Sequence, residues 1–163
     1  RVDGDEEPRT AKARSLAQDG DLGGAVKESY AILADPAATE EQKASAGAIR
    51  EKIDAHLAML AAQAEGFVKA RDVEKAVLVL EGIKKALPSA DSGTAATKRL
   101  AEIAADPKLA REVDAGKALQ RLKDQIRPLK KDKAKPKIEE FVKKYEGTRA
   151  AERAAILMKK SKG

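Results

Sequence analysis

Residues 39–71 contain no proline, and within them Ile49, Ile53, Leu57, Leu60, Ala64 and Phe67 follow one another at intervals of 4, 4, 3, 4 and 3. That spacing keeps all six on one face of an α-helix. A helix over the whole stretch is about 50 Å long at about 1.5 Å per residue. Gly47 and Gly66 weaken it slightly and allow a bend. Its start is marked by Thr39-Glu40-Glu41-Gln42, a capping box in which the hydroxyl accepts from an orphan amide and Gln42 reaches back.

The rest of the chain reads as shorter helices between clear stops. Residues 1–9 are a flexible start, and one α-helical repeat domain is expected over 10–163. A helix over 10–19 turns Ala13 and Leu16 inward and ends at Gly20-Asp21, where glycine tolerates the left-handed conformation. The next, over 22–34, uses Ala25, Ile32 and either Tyr30 or Leu33, and Asp35-Pro36 stops it. After the long helix and the turn at Arg71-Asp72, residues 73–87 present Ala76, Leu80, Ile83 and Leu87, ended by Pro88. A short helix covers 91–105. Asp106-Pro107 is a strong start signal, a capping carboxylate followed by proline at the first helical position. The helix it opens carries Leu109, Val113, Leu119, Leu122 and Ile126 until Pro128. A lysine-rich loop follows, then a helix over 135–145, then a last one from the Gly147-Thr148 cap through about 159. Strand-like alternation is missing, so the chain is expected to be all-α with seven or eight helices.

Composition narrows the functions. Four residues of 163 are aromatic and none is cysteine. Disulfides, thiolate metal sites and cysteine nucleophiles are therefore excluded. Alanine supplies much of the apolar fraction, which argues against a wide core. No apolar run is long enough to span a membrane as a helix. A chain beginning Arg1-Val2-Asp3-Gly4 fits a processed product or a piece of a longer protein.

Charge is unevenly spread. Residues 117–163 carry sixteen Lys and Arg against six Asp and Glu, a balance of +10, while the remainder carries −4, giving +6 overall. The densest stretch runs from Arg127 to Lys137. It contains Lys130, Lys131, Lys133, Lys135 and Lys137, the candidate contacts for an acidic partner, nucleic acid or an anionic surface. A solvated loop explains the same lysines without any partner. Interleaved aromatics, which form the stacking platform for single strands, are missing.

Catalytic constellations are missing too. His56 is the single histidine and has no neighbouring ligand type, so a surface or structural role is expected. Glu6-Glu7, Glu40-Glu41 and Glu139-Glu140 are adjacent pairs that point in different directions on a helix. Gly23-Gly24 lacks the Lys-Ser/Thr of a phosphate loop, and Asp19-Gly20-Asp21 lacks the distal ligands of a calcium loop. The serines have no partner base. No cofactor, no metal and no enzyme activity are expected.

Three places share a turn, an alanine and then mostly apolar positions: Asp21/Ala25/Ser29/Ile32, Asp72/Ala76/Leu80/Ile83 and Lys130/Ala134/Ile138/Phe141. They lie 51 and 58 residues apart. The middle copy, extended to Leu60, Ala64, Phe67, Asp72, Ala76, Leu80, Ile83 and Pro88, resembles the tetratricopeptide repeat signature. Gln63 departs from it where a leucine is usual. The first copy matches at Ala13, Leu16, Gly20, Asp21, Ala25 and Ile32, with Ser29 polar. The third keeps Ala134, Ile138, Phe141 and Tyr145, with lysine in place of the turn aspartate. The family's own period is about 34 residues, so the array here is irregular. The Ala-rich helical character also resembles helical tails attached to thioredoxin-like domains in bacterial secreted proteins, a resemblance consistent with export to the periplasm or beyond.

The first resemblance implies stacked helix pairs, a concave face and a protein-interaction or assembly scaffold, with the seam residues structural. On the long helix Glu51, Ala55, Ala58, Ala62 and Glu65 lie roughly opposite the seam. A binder of nucleic acid or anionic surfaces through the basic C-terminal third is the alternative. Self-association through the long helix is the third possibility.

Overall fold

The computed structural model describes residues 8–87 and 90–160, and among these the chain is all-α with eight helices. They are α1 (Pro8–Gln18), α2 (Leu22–Ala34), α3 (Glu40–Lys69), α4 (Val73–Ala86), α5 (Asp91–Ala105), α6 (Pro107–Ile126), α7 (Lys131–Lys144) and α8 (Arg149–Lys160). Of the expected flexible start, residues 1–7 lie outside the described residues, while Pro8 and Arg9 already belong to α1. Arg9 pairs with Asp35 at 2.6 Å.

Local start and stop signals act where expected. The Thr39 amide donates to Gln42 Oε1 at 2.9 Å and the Gln42 amide to Thr39 Oγ1 at 3.1 Å, so the capping box closes both ways. Asp106 Oδ1 accepts from the Lys108 and Leu109 amides, with Pro107 following the cap. Thr148 Oγ1 accepts from the Ala151 amide at 3.2 Å at the start of α8.

Contacts divide the chain into two compact units. The first draws on 8–61 and 82–96. Here α1 packs on α2, with Ala13 and Ala25 fully buried where the two helices meet. Alanine permits that close approach because nothing beyond Cβ intervenes. Ile49, Ile53 and Leu57 of α3 are buried, as are Ile83 of α4 and Leu87 just after it. The expectation for α2 needs correction. Tyr30 and Leu33 both face outward, and the buried positions are Ala25, Val26, Ser29 and Ile32. Ser29 is tolerated inside because its hydroxyl donates to the Ala25 carbonyl at 2.8 Å. Tyr30 is held at the surface beneath the Arg50 guanidinium, 4.4 Å from its ring centroid.

The second unit draws on 62–81 and 97–160. Its core joins α6, α7 and α8 through Ala115, Ala118, Leu119, Leu122, Ile138, Phe141, Ala150 and Ala154. The Phe141 and Tyr145 rings lie 4.8 Å apart. Ala64, Val73, Ala76 and Leu80 are buried in this unit as well. A second correction falls here. The lysine-rich segment is not a loop up to residue 135, because α7 begins at Lys131 and contains Pro136. Packing of Ile138 and Phe141 outweighs the amide that proline lacks, as tertiary burial commonly overrides propensity.

Candidate functional site

Lys130 is the N-cap of α7 and makes no side-chain cap bond; Lys131, Lys133, Lys135 and Lys137 follow on the helix, and all five are exposed. They do not form one patch. Lys131 and Lys135 are one turn apart, as are Lys133 and Lys137, and at about 100° per residue the two pairs lie on opposite flanks of the Ala134–Ile138–Phe141 seam. Lys135 leans on Glu139 at 3.8 Å. Lys137 instead joins Arg121 and Lys144 around a shallow cleft between α6 and α7, which Glu140 also lines. The seven-residue spacing of Lys137 and Lys144 is the sequence signal for that grouping.

The turns of the first two copies are built alike. The Gly20 amide donates to the Ala17 carbonyl and the Asp21 amide to Leu16. Fifty-one residues later the Arg71 amide donates to Val68 and the Asp72 amide to Phe67. Each pair is a Schellman closure, which requires a left-handed residue at its centre. Gly20 has φ +85 and Arg71 φ +64. Ala13 and Ala64 precede the turns at matching distance and Ala25 and Ala76 follow, all four fully buried. In the third copy the Leu129 amide donates to the Ile126 carbonyl, but no left-handed residue stands at the centre of the turn, and Lys130 after it has φ −69 and ψ 155.

A polar clasp in the second unit went unseen in the sequence. Arg71 donates to Glu112 Oε1 at 3.2 Å, to Glu152 Oε1 at 2.8 Å and to the Gly147 carbonyl. Glu112 also accepts from the Arg149 amide at 3.0 Å, while Arg111 reaches the Lys144 and Glu146 carbonyls. A cation therefore meets the end of α7 and an anion the start of α8, as both helix dipoles favour. Arg153 pairs with the buried Asp72. The Arg149 and Arg71 guanidiniums hold the Glu152 carboxyl below the usual range, and Glu152 and Glu112 in turn push Arg71 upward. Glu65 likewise raises Arg99, which it meets at 2.7 Å. Every carboxylate here is answered by an arginine or an amide, so the clasp is a joint between helix ends.

His56 is exposed on α3. Opposite the seam Glu51, Ala55, Ala58 and Ala62 are exposed, while Glu65 is half-buried against Arg99. No group of three His, Cys, Asp or Glu residues among those described is arranged to hold a metal ion. No helix among the described residues is long and apolar enough to cross a membrane.

Two grooves mark the first unit. One, of about 700 Å³, has mixed charge: Lys27, Arg50, Asp54 and Asp91 line it, and Arg50 sits 4.0 Å from Asp54. The other, of about 570 Å³, lies between α1 and α3. Set against family models, curated proteins and solved structures, the chain matches none.

Proposed function

We propose that the chain is a non-enzymatic protein-interaction or assembly module built from irregular tetratricopeptide-like helix pairs. The observation that supports this is the matched pair of turns 51 residues apart, each closed by the same two backbone bonds and flanked by the same buried alanines. Helix pairs reused in this way stack to bury a seam and present helix faces to peptides or partner subunits. A neighbouring domain of a longer parent protein is one such partner, in keeping with the likeness to helical tails on thioredoxin-like domains. The test is an affinity pull-down with and without nuclease, washed at moderate salt. The expected result is a defined protein recovered in both. Loss of all bound material after nuclease or salt overturns the reading.

One observation favours a second reading, binding to nucleic acid or another anionic surface. Lys130, Lys131 and Lys133 stand at the positive end of the α7 dipole, and the N-cap bond is missing. Stability alone does not select cations there, and such breaches of local rules gather at functional places. Binding through these lysines must weaken steeply with salt, because released counterions drive it. Affinity for duplex DNA or RNA that stays flat from low to moderate salt removes this reading.

A further inference from the structure

The groove between α1 and α3 differs from the other in its charge. Its floor is apolar, made by Ala17 and Leu22 on one side and Ala48, Ile49 and Ile53 on the other. Its rim carries Arg14, Lys52 and His56, and among the described residues no carboxylate lines it. Lys52 and His56 are exposed and one helical turn apart on α3. Along α3 the lining runs from Ser45 to His56, about 16 Å at about 1.5 Å per residue.

From this arrangement we infer that the groove docks a short acidic amphipathic segment of a partner protein. An aliphatic side chain of that segment rests on the floor, and carboxylates one turn apart face Lys52 and His56. Charge complementarity selects the occupant. A basic segment would meet the Lys52 ammonium and the Arg14 guanidinium, and a neutral apolar one would leave Lys52 desolvated without a counter-charge. A small ligand fits less well, because such sites enclose most of their ligand whereas this groove is about half open. A groove of about 16 Å accepts about three turns of helix. The inference rests on the interaction-module reading and names the partner's chemistry.

The experiment uses the full chain and two labelled peptides of about fifteen residues with the same leucine pattern, one carrying glutamates and one lysines. Fluorescence anisotropy at low salt is expected to detect the acidic peptide and not the basic one. Lys52→Glu with His56→Glu should weaken the acidic peptide about ten-fold or more and create binding of the basic one. Both residues are exposed, so helical circular dichroism should be unchanged; Ala48→Arg, which fills the floor, is a second obstruction. Glutamates at 130, 131 and 133 should leave acidic-peptide affinity within about two-fold. Equal binding of the two peptides, no loss in the groove variants, or loss that follows the α7 lysines overturns the inference. A pull-down partner fully retained by the groove variants does so too, and leaves the module reading standing. Absence of any pull-down partner removes the module reading, and the inference with it.

Discussion

Gly20 and Arg71 occupy the same place in the same turn, yet only one is the residue that turn favours. Glycine takes a left-handed φ without penalty, and a Cβ at Gly20 would meet nothing within 4 Å. Arginine at φ +64 carries a cost of about 1 kcal/mol or more. What offsets it is the side chain, which reaches Glu112, Glu152 and the Gly147 carbonyl. The first turn is thus stable by local conformation, the second by long-range bonds. The same backbone motif is supported in one place by the chain's own geometry and in the other by the surrounding unit.

If the two copies are equivalent in packing, their buried isoleucines should matter equally. Ile32 and Ile83, at matching positions, are 1% and 3% exposed. Each truncation, Ile32→Ala and Ile83→Ala, should cost about 3 kcal/mol, the usual range for an aliphatic deletion in a core. Denaturant midpoints followed by circular dichroism measure it. A difference above about 1.5 kcal/mol between them would break the equivalence.

The next position separates the copies. Gly23 and Glu74 correspond, and each marks a close helix approach. A Cβ on Gly23 would come 2.5 Å from the Ala86 carbonyl oxygen, a backbone atom. Glu74 instead lies over Gly116, where the three atoms nearest to an added Cβ all belong to the glutamate side chain. Gly23→Ala should therefore destabilise by about 2 kcal/mol, since backbone must shift. Gly116→Ala should cost less than half of that, because Glu74 can swing away. Equal thermal shifts would mean that α4 yields as easily as a side chain.

These contrasts also explain what the sequence disclosed. The long helix, the capping box at Thr39 and the Asp106-Pro107 start are legible because their signals lie within four residues. The Arg71 clasp is not, since its partners stand 41, 76 and 81 residues away. In α2 the polar Ser29 disguised the inward face and made Tyr30 or Leu33 look like the next apolar position. The start of α7 was hidden by Pro136, whose effect is overruled by burial of Ile138 and Phe141. The five lysines were visible as composition, but their division between two flanks follows from the helix. The α1–α3 groove was invisible, because Arg14 meets Lys52 and His56 only once two helices pack.

Exchanging the two turn residues sharpens the opening comparison. Gly20→Ala should cost about 1 kcal/mol, the left-handed penalty alone. Arg71→Gly relieves that penalty and loses the clasp, whereas Arg71→Ala loses the clasp and keeps the penalty. Arg71→Ala should thus be the less stable by about 1 kcal/mol in denaturant unfolding. If both Arg71 variants unfold at the same midpoint, the backbone carries no strain at 71 and long-range support is not what keeps the turn.

The smallest effect concerns the copy that abandoned the turn. Asp21 caps α2, accepting from the Gly24 amide at 2.8 Å, while Lys130 at the matching place caps nothing. Lys130→Asp supplies an acceptor for the first-turn amides and replaces a cation at the positive end of the dipole by an anion. The variant should gain about 0.5–1 kcal/mol in denaturant stability. Aspartate stands at the corresponding places 21 and 72. A gain in stability accompanied by loss of salt-sensitive binding to duplex nucleic acid identifies lysine at 130 as retained for contact with anions. A gain with binding unchanged assigns the lysine no such role and leaves the helix pairs as the working surface of the chain.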